Sequence, residues 1–282
     1  MAGDINLRER LVLFPSDNLA SSQSLENVMA PSGGHIMHQY GPRVMLLSSP
    51  PAVDEIISQT MPQALLSEAT DMKAEIPDGL NEAEQLGLQA FQLRQSVDYF
   101  NAKAKRPNAE ENWGNPSNGA QPLQSCTEHD PLNEESESQS LEGEAGAPTT
   151  SARLTGSVAV GIIIVEGPNK NLKFSIQERL KVIAEVQNGL SWLGSQNPAS
   201  KITWKYDFKY VKLSTKPGAD SLSSAQKEAL WRNPAMKKLG YSGNMDGVKK
   251  YVNDIRAKLN TNWTYCAFFT KYPLGWFAYA SI

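Results

Sequence analysis

Cysteine and histidine are scarce in this sequence. Its 282 residues include two cysteines, Cys126 and Cys266, and three histidines, His35, His38 and His129. Two cysteines this far apart do not make a disulfide framework, and they favour a reducing compartment. There is no Cys-x-x-Cys pair and no His-Glu-x-x-His stretch, so both common zinc signatures are missing. We therefore predict no metal site and no complete catalytic site in this chain.

His35 and His38 have the spacing of a metal-binding pair only if they lie on a helix, where residues i and i+3 share a face. They precede a Gly41-Pro42 break, and the residues around them favour a strand. Residues i and i+3 of a strand point to opposite faces. The spacing therefore predicts two histidines on opposite faces of a sheet, and neither is predicted to bind a metal.

Motifs for a nucleophile or a nucleotide are also missing. Cys126 lies among acidic residues, which disfavour a thiolate, and Cys266 lies among aromatic residues, where a thiol packs as a small apolar group. There is no Gly-x-Ser-x-Gly elbow, no Gly-x-Gly-x-x-Gly turn and no Gly-Lys-Thr loop. These absences argue against a nucleotide-dependent enzyme and leave no nucleophile identified.

Long apolar runs are absent. The longest, Val158 to Val165, is less than half of the roughly 20 residues that a spanning helix requires. The first eight residues, Met-Ala-Gly-Asp-Ile-Asn-Leu-Arg, carry charges where a signal peptide needs an apolar stretch. We predict a soluble chain without a membrane partner. A cytoplasmic location and export without a cleaved signal both remain open.

Basic residues are missing from residues 107–152, which carry nine acidic side chains and no Lys or Arg. The segment has almost no β-branched or aromatic residues, so it buries too little apolar surface to offset the roughly 1–2 kcal/mol per residue lost on ordering a backbone. It is predicted to be a disordered acidic linker. Residues 1–34, rich in Ser, Asn and Pro, are predicted to be partly ordered.

Between these segments, residues 35–106 show a small α+β pattern. Strands are predicted at His35 to Tyr40 and Arg43 to Leu47, followed by a helix through Val53 and Met61. An apolar stripe of helical period predicts one further helix from Asn81 to Lys103.

Residues 153–282 alternate strands with helices. A β-branched run at Ser157 to Val165 is typical of a strand covered on both faces. Ser175 and Glu178 form a capping box for a long helix, and Gly194 is placed where a helix ends. The later predicted elements are a strand from Ile202 to Tyr210, loop and short helix over 214–245, a helix from Met245 to Leu259, and strands at Trp263 to Thr270 and Trp276 to Ile282. The order predicts an α/β or α+β sheet.

The second segment is basic, with 19 Lys and Arg against eight Asp and Glu. The candidate binding face for a polyanion, nucleic acid or protein partner consists of four lysines on an aromatic strand: Lys201, Lys205, Lys209 and Lys212. Alternation puts most lysines opposite the aromatic side chains, which argues against nucleic acid because stacking and phosphate contacts need one side. Lysines also guard strands against edge pairing, and the acidic linker is a rival counter-charge for this face.

The second segment resembles the opening of the catalytic domain in bacterial zinc metallopeptidase-like proteins of the zincin type. The resemblance is carried by Gly156 to Gly167 (Gly-Ser-Val-Ala-Val-Gly-Ile-Ile-Ile-Val-Glu-Gly), by the helix from Phe174 to Leu193, and by Ile202 to Asp207 (Ile-Thr-Trp-Lys-Tyr-Asp). In that family a first strand and a long helix back the sheet, an edge strand borders the substrate cleft, and the His-Glu-x-x-His helix follows the last strand. Residues 35–64 are similar in outline to small strand-strand-helix protease prodomains.

The resemblance implies a substrate-edge strand at Trp276, Phe277, Ala278 and Tyr279, and no position matches a zinc ligand or general base. We therefore expect an incomplete zincin-like segment that is inactive alone, and zinc only if a further C-terminal part exists. Expected partners are an intramolecular prodomain or linker contact, self-association, or a partner that completes the sheet. The alternative is a non-enzymatic binding protein that uses the basic segment.

Overall fold

The computed structural model describes residues 7–17, 21–67, 78–105 and 154–273. The described strands are β1 (Arg8–Leu13), β2 (His35–Tyr40), β3 (Val44–Ser49), β4 (Leu65–Ser67), β5 (Ser157–Glu166), β6 (Thr203–Lys212) and β7 (Trp263–Thr270). The described α-helices are α1 (Ser22–Met29), α2 (Ala52–Thr60), α3 (Glu82–Arg94), α4 (Val97–Ala104), α5 (Ile176–Gln196), α6 (Ser224–Lys238) and α7 (Met245–Leu259).

All seven described strands form one mixed sheet in the order β4-β1-β3-β2-β6-β5-β7. The four strands of residues 7–96, the N-terminal part, pair antiparallel with each other. The three strands of residues 154–273, the C-terminal part, pair in parallel. The predicted α/β class is confirmed. Strands from both sides of the predicted linker lie in this one sheet, and the linker itself lies outside the described residues.

Helices cover both faces of the sheet because its strands bury side chains on both sides. On one face, α3 and α5 pack on an apolar cluster shared by both parts, including Leu11, Leu46, Val160 and Trp204. On the other face, α1 and α2 cover the N-terminal strands, and α6 and α7 cover the C-terminal strands. We call the face covered by α3 and α5 the α5 face.

One predicted helix is divided in two. Instead of running from Asn81 to Lys103, the helix stops after Arg94, and α4 begins at Val97 in a separate unit, residues 97–153. The hydroxyl of Ser96 donates to the carbonyl of Leu93 at 2.7 Å, a local bond that competes with helix continuation.

The long helix α5 begins as predicted and ends later. Ser175 and Glu178 form the reciprocal capping box, with N–O distances of 3.2 and 2.7 Å. Gly194 does not end the helix, which continues to Gln196. Pro198 explains this end, since proline disfavours helical backbone in the residue before it and cannot continue the hydrogen-bond ladder.

The short strand β4 was not predicted, and three further elements were not predicted at their full extent. β1 and α1 lie in the segment expected to be only partly ordered, and α6 runs for 15 residues where loop and a short helix were expected. α6 contains Pro234, a residue that argues against a helix interior, yet Trp231 and Met236 are buried on either side of it. The predicted strand from Trp276 to Ile282 lies outside the described residues.

Candidate functional site

The two parts of the sheet meet at a short seam between β2 and β6. These strands run parallel and pair at two positions, His38 with Trp204 and Gln39 with Lys205. By comparison, β5 and β6 pair along ten positions. The hydroxyl of Thr203 adds a bond to the carbonyl of Ile36 at 2.7 Å. Side chains therefore supply much of the connection between the two parts.

A β-bulge at Met37 sets the direction of both histidines in β2. His35 pairs with Ser48 and His38 with Leu46, two positions apart on β3, because Met37 is the extra residue of the bulge. Both rings therefore lie on the α5 face. The prediction that His35 and His38 point to opposite faces is wrong, since it assumed a regular strand.

His38 joins the two parts through both ring nitrogens. Its Nδ1 lies 2.7 Å from the hydroxyl of Tyr206 on β6, and its Nε2 lies 2.8 Å from Oγ of Ser191 on α5. Ser191 in turn donates to the carboxylate of Glu9 on β1 at 2.9 Å. The contact therefore runs from β6 through β2 and α5 to β1.

Arg94 on α3 extends these hydrogen bonds from Glu9 back to α5. Its guanidinium donates to both carboxylate oxygens of Glu9, at 3.2 and 3.1 Å, and to the amide oxygen of Gln187 at 2.9 Å. The Gln187 amide nitrogen donates to the hydroxyl of Tyr40 at 2.8 Å. Tyr40 and Tyr206 stack with ring centres 4.5 Å apart. We call the seven residues the polar network: Glu9, His38, Tyr40, Arg94, Gln187, Ser191 and Tyr206.

The network fixes the protonation of His38. The Glu9 carboxylate can only accept, so the single proton of Ser191 points to Glu9 and the Nε2 of His38 must donate to Ser191. Nδ1 then carries no proton and accepts from Tyr206. Full burial, with the nearby charges of Arg94 and His35, lowers the pKa of His38 well below its usual range. The ring is neutral in the folded protein.

A cleft of about 320 Å³ opens beside the network. His35, Glu9, Ser191 and Asn188 supply polar groups to its wall, and Met37 and the exposed ring of Trp192 supply apolar surface. Burial and the charge of Lys201 lower the pKa of His35 to about 4, so this imidazole is neutral at pH 7. The cleft therefore presents the Glu9 carboxylate, already paired with Arg94, and the cationic Arg8 among neutral groups.

The Ser191–His38 pair does not have the arrangement of a nucleophile and its base. A general base must accept the serine proton, but His38 donates to Ser191 through Nε2. The proton of Ser191 points to Glu9, which also accepts both bonds from Arg94. His38 is fully buried and has no approach for a substrate. The geometry indicates a structural contact between the two parts.

The described residues do not fit a zinc ion. Both nitrogens of His38 are engaged in hydrogen bonds, so neither has a lone pair for a metal. Across 7–17, 21–67, 78–105 and 154–273, no three His, Cys, Asp or Glu side chains are grouped as a ligand set. His129 lies outside these ranges. No chemical step is assigned to a metal here.

The four lysines of the predicted basic face lie in different surroundings. Lys205 donates to the carbonyl of Leu259 at the end of α7, and Lys209 lies 3.2 Å from the carboxylate of Asp207. By strand alternation Lys212 lies on the opposite face of β6, and Lys201 lies in the turn before β6. The structure thus brings Lys205 and Lys209 together on the α7 side and separates them from Lys212.

Of the remaining sequence candidates, only Cys266 lies within the described residues. The predicted substrate-edge residues Trp276, Phe277, Ala278 and Tyr279 lie outside the described residues. Cys266 is half-buried on β7, and burial raises the pKa of its thiol to about 12. Its position fits an apolar packing role, and Cys126 lies outside the described residues.

Sequence reasoning considered only His38 among the seven network residues, and rejected it as a metal ligand. It missed the other six: Glu9, Tyr40, Arg94, Gln187, Ser191 and Tyr206. Their hydrogen bonds join residues 85 to 182 positions apart, so no local spacing marks them. One signal was available. Glu9 alternates with Leu11 and Leu13, and recognising β1 as a strand would have put a carboxylate on a buried face.

Comparison of the chain with protein-family models, with curated proteins and with solved structures finds no match. Among the described helices, none is both long and apolar enough to cross a membrane.

Proposed function

We propose that this chain is a zincin-type metallopeptidase-like protein with a prodomain-like N-terminal part, and that these 282 residues do not hydrolyse peptides alone. The observation that carries the proposal is the arrangement of β5, α5 and β6. The two strands run parallel in register over ten residue pairs, and α5, between them in sequence, packs on one face. These elements contain the residues that resemble a zincin domain.

The connection between β5 and α5 supports the same assignment. The carboxylate of Glu166, at the end of β5, accepts from the backbone N–H of Phe174 at 3.0 Å and from Arg179 at 2.6 Å. This buried acid holds the start of α5 against the end of the strand, since an unpaired carboxylate there would be strongly disfavoured. The strand and the backing helix are therefore one rigid unit, as the resemblance requires.

The seam supports a prodomain-like role for the N-terminal part. This part supplies four strands to the sheet and four side chains to the α5 side of the seam, Glu9, His38, Tyr40 and Arg94. An intramolecular prodomain contact of this kind was expected from the sequence. Glu9 and Arg94 form a bidentate pair within the N-terminal part, and each also bonds to α5 across the seam, Glu9 to Ser191 and Arg94 to Gln187.

The lack of hydrolysis is proposed from the sequence, which has three histidines and no His-Glu-x-x-His stretch. The test uses the purified 282-residue chain, dialysed with zinc and then freed of loose metal. Elemental analysis is expected to find zinc far below one atom per chain, and a fluorescent casein substrate is expected to stay intact. Stoichiometric zinc or casein cleavage would disprove the proposal. A His-Glu-x-x-His sequence encoded downstream of residue 282 would support the family assignment.

The alternative, a polyanion-binding protein, stays a prediction. It is tested by binding to heparin and single-stranded DNA over a range of salt concentrations, since phosphate and sulfate contacts weaken steeply with salt. Replacing both Lys205 and Lys209 by Gln should weaken binding if these lysines form the site. Replacing the exposed Lys250, which pairs with Asp254, is the matched control.

A further inference from the structure

We propose that the N-terminal part is a non-covalent ligand of the C-terminal part: the two stay together when residues 107–152 are cut, and acid separates them at the β2–β6 seam. The identity of the N-terminal part as prodomain-like rests on the proposed function. The interface itself is argued from contacts alone.

The apolar contact explains why the parts should stay together at neutral pH. The cluster on the α5 face contains Leu11, Leu46 and Phe91 from the N-terminal part, and Leu190 and Trp204 from the C-terminal part. α3 packs directly on α5. All of these side chains are buried, and separation would expose them to water. No covalent bond across the seam is needed for this contact.

The backbones also approach closely. Within the N-terminal part, a Cβ on Gly87 of α3 would lie 2.2 Å from the ring of Tyr40, so only glycine lets α3 rest on that ring, and this contact fixes the position of α3. The carbonyl of Gly87 also accepts from the amide of Gln187 on α5 at 3.3 Å. The interface therefore combines apolar burial with hydrogen bonds that only one relative position of α3 and α5 allows.

The polar network explains why acid should act at this place. Titratable and charged groups face His38 from each element packed around it: Glu9 from β1, His35 and Tyr40 from β2, Arg94 from α3, and Tyr206 from β6. Neutral Gln187 and Ser191 face it from α5. Both hydrogen bonds of the His38 ring are satisfied only while Nδ1 accepts a proton.

Protonation of His38 would leave a donor without an acceptor. Nδ1–H would then need the oxygen of Tyr206, whose own proton now points to Nδ1. The buried Tyr206 hydroxyl would lose the acceptor of that proton inside the protein. The new positive charge would also be buried near Arg94. Opening the seam to water relieves both problems.

Among the described strand pairs, β2 and β6 next to His38 have the fewest paired positions. β2 and β6 pair at two positions, whereas β1 and β3 pair at six and β5 and β6 at ten. An opening driven by His38 should therefore separate β2 from β6 and leave the pairing within each part intact.

The main experiment uses the full chain carrying an N-terminal affinity tag and a recognition sequence for a site-specific protease within residues 107–152. After complete cutting, the protein is immobilised by its tag and washed at pH 7.5 or pH 4.5. We expect the C-terminal fragment to remain bound at pH 7.5 and to elute at pH 4.5. Elution at pH 7.5, or full retention at pH 4.5, would overturn the proposal.

Two variants test whether the release of the C-terminal fragment in acid depends on the polar network. His38→Gln keeps a donor for Ser191 and removes the titration of His38, so clearly more of the fragment should be retained at pH 4.5 than with the unchanged sequence. Ser191→Ala removes the acceptor of His38 and the donor to Glu9, so release should begin at a higher pH. The matched control is Ser195→Ala, on the same helix, whose exposed hydroxyl donates to the carbonyl of Trp192 and accepts from the amide of Gln196, both on its own helix. An equal effect of both serine variants would contradict the role of the network.

Hydrogen exchange on the uncut chain needs no substitution. After correction for intrinsic rates, protection of β2 and β6 amides at the seam should fall by up to about tenfold per pH unit below pH 6.5, the limit for uptake of one proton. Protection of the β5–β7 pairing should not change over the same range. Uniform loss across the sheet would contradict a local opening. Zinc content and casein cleavage test the proposed function separately, so either proposal can fail alone.

Discussion

The hydroxyl of Tyr251 lies directly over Gly161. A Cβ added to Gly161 would be 2.7 Å from the Tyr251 oxygen and 3.0 Å from Cβ of Cys266 on the neighbouring strand. The same hydroxyl donates to the carboxylate of Asp207, which pairs with Gly161 across β5 and β6. The absence of a side chain in the middle of β5 thus lets α7 reach the sheet and bond a buried acid.

Replacing Gly161 by Ala should destabilise the protein. The added methyl group would push Tyr251 away from Asp207, and we expect the free energy of unfolding to fall by about 1–3 kcal/mol, as in overpacked cores. The free energy of unfolding is measured by urea unfolding followed by tryptophan fluorescence. Gly189→Ala is the control, because nothing lies within 4 Å of its position on α5 and alanine favours helix over glycine. A stable Gly161→Ala protein would show that Tyr251 moves freely.

Arg94 offers a second test, since it neutralises Glu9 at the seam. The two side chains are 8% and 17% exposed, so Arg94→Met would leave a nearly buried carboxylate without its partner. We expect a loss of about 3–5 kcal/mol in the free energy of unfolding, measured by urea unfolding. Lys250→Met, which breaks an exposed ion pair with Asp254, should give no measurable change. Similar small effects of both variants would mean that water reaches Glu9.

The elements of the C-terminal part could be predicted because their signals are local. The β-branched run of β5 and the capping box at Ser175 determine strand and helix within about ten residues each. The position of β6 next to β2 has no such local signal, because it depends on side chains that fill the space between two distant parts of the chain. β1 was missed because only three charged residues and three apolar ones mark it.

The candidate site was beyond sequence reasoning for a related reason. The bulge at Met37 changes the face of His38, and no proline or glycine in β2 marks it. Once the bulge is known, the remaining partners follow from the requirement that buried polar groups be hydrogen-bonded. The absence of a recognisable catalytic motif, by contrast, could be established directly from residue order.

Cys266 provides a test of burial at the sheet edge. Burial raises the pKa of its thiol to about 12, so the thiolate fraction at pH 8 should be about a thousandfold lower than that of a free cysteine with a pKa near 8.5. In a Cys126→Ser variant, which leaves one thiol, reaction with a disulfide reagent should be at least 100-fold slower in the native state than in urea. Equal rates would show that β7 opens readily.

The two histidines of β2 should make the protein sensitive to acid. Their folded-state pKa values lie below the unfolded value of about 6.5, to about 4 for His35 and further in the same direction for the fully buried His38. The unfolded state therefore binds more protons below pH 6.5, and stability present above that pH is lost as the pH falls. The loss approaches about 1.4 kcal/mol per pH unit for each histidine.

Urea unfolding at pH 7.5, 6.5, 5.5 and 4.5 measures this dependence. Asp207 cannot cause it, because its burial is outweighed by hydrogen bonds from Lys258 and Tyr251 and the charge of Lys209, which lower its pKa; its contribution is lost only below about pH 4. His35→Gln should remove one histidine's share of the slope and leave that of His38, whereas the double variant with His38→Gln should be nearly independent of pH between 6.5 and 4.5. If the double variant kept the full slope, the acid sensitivity would have to come from groups outside β2, and the neutral state assigned to His38 would lose its thermodynamic support.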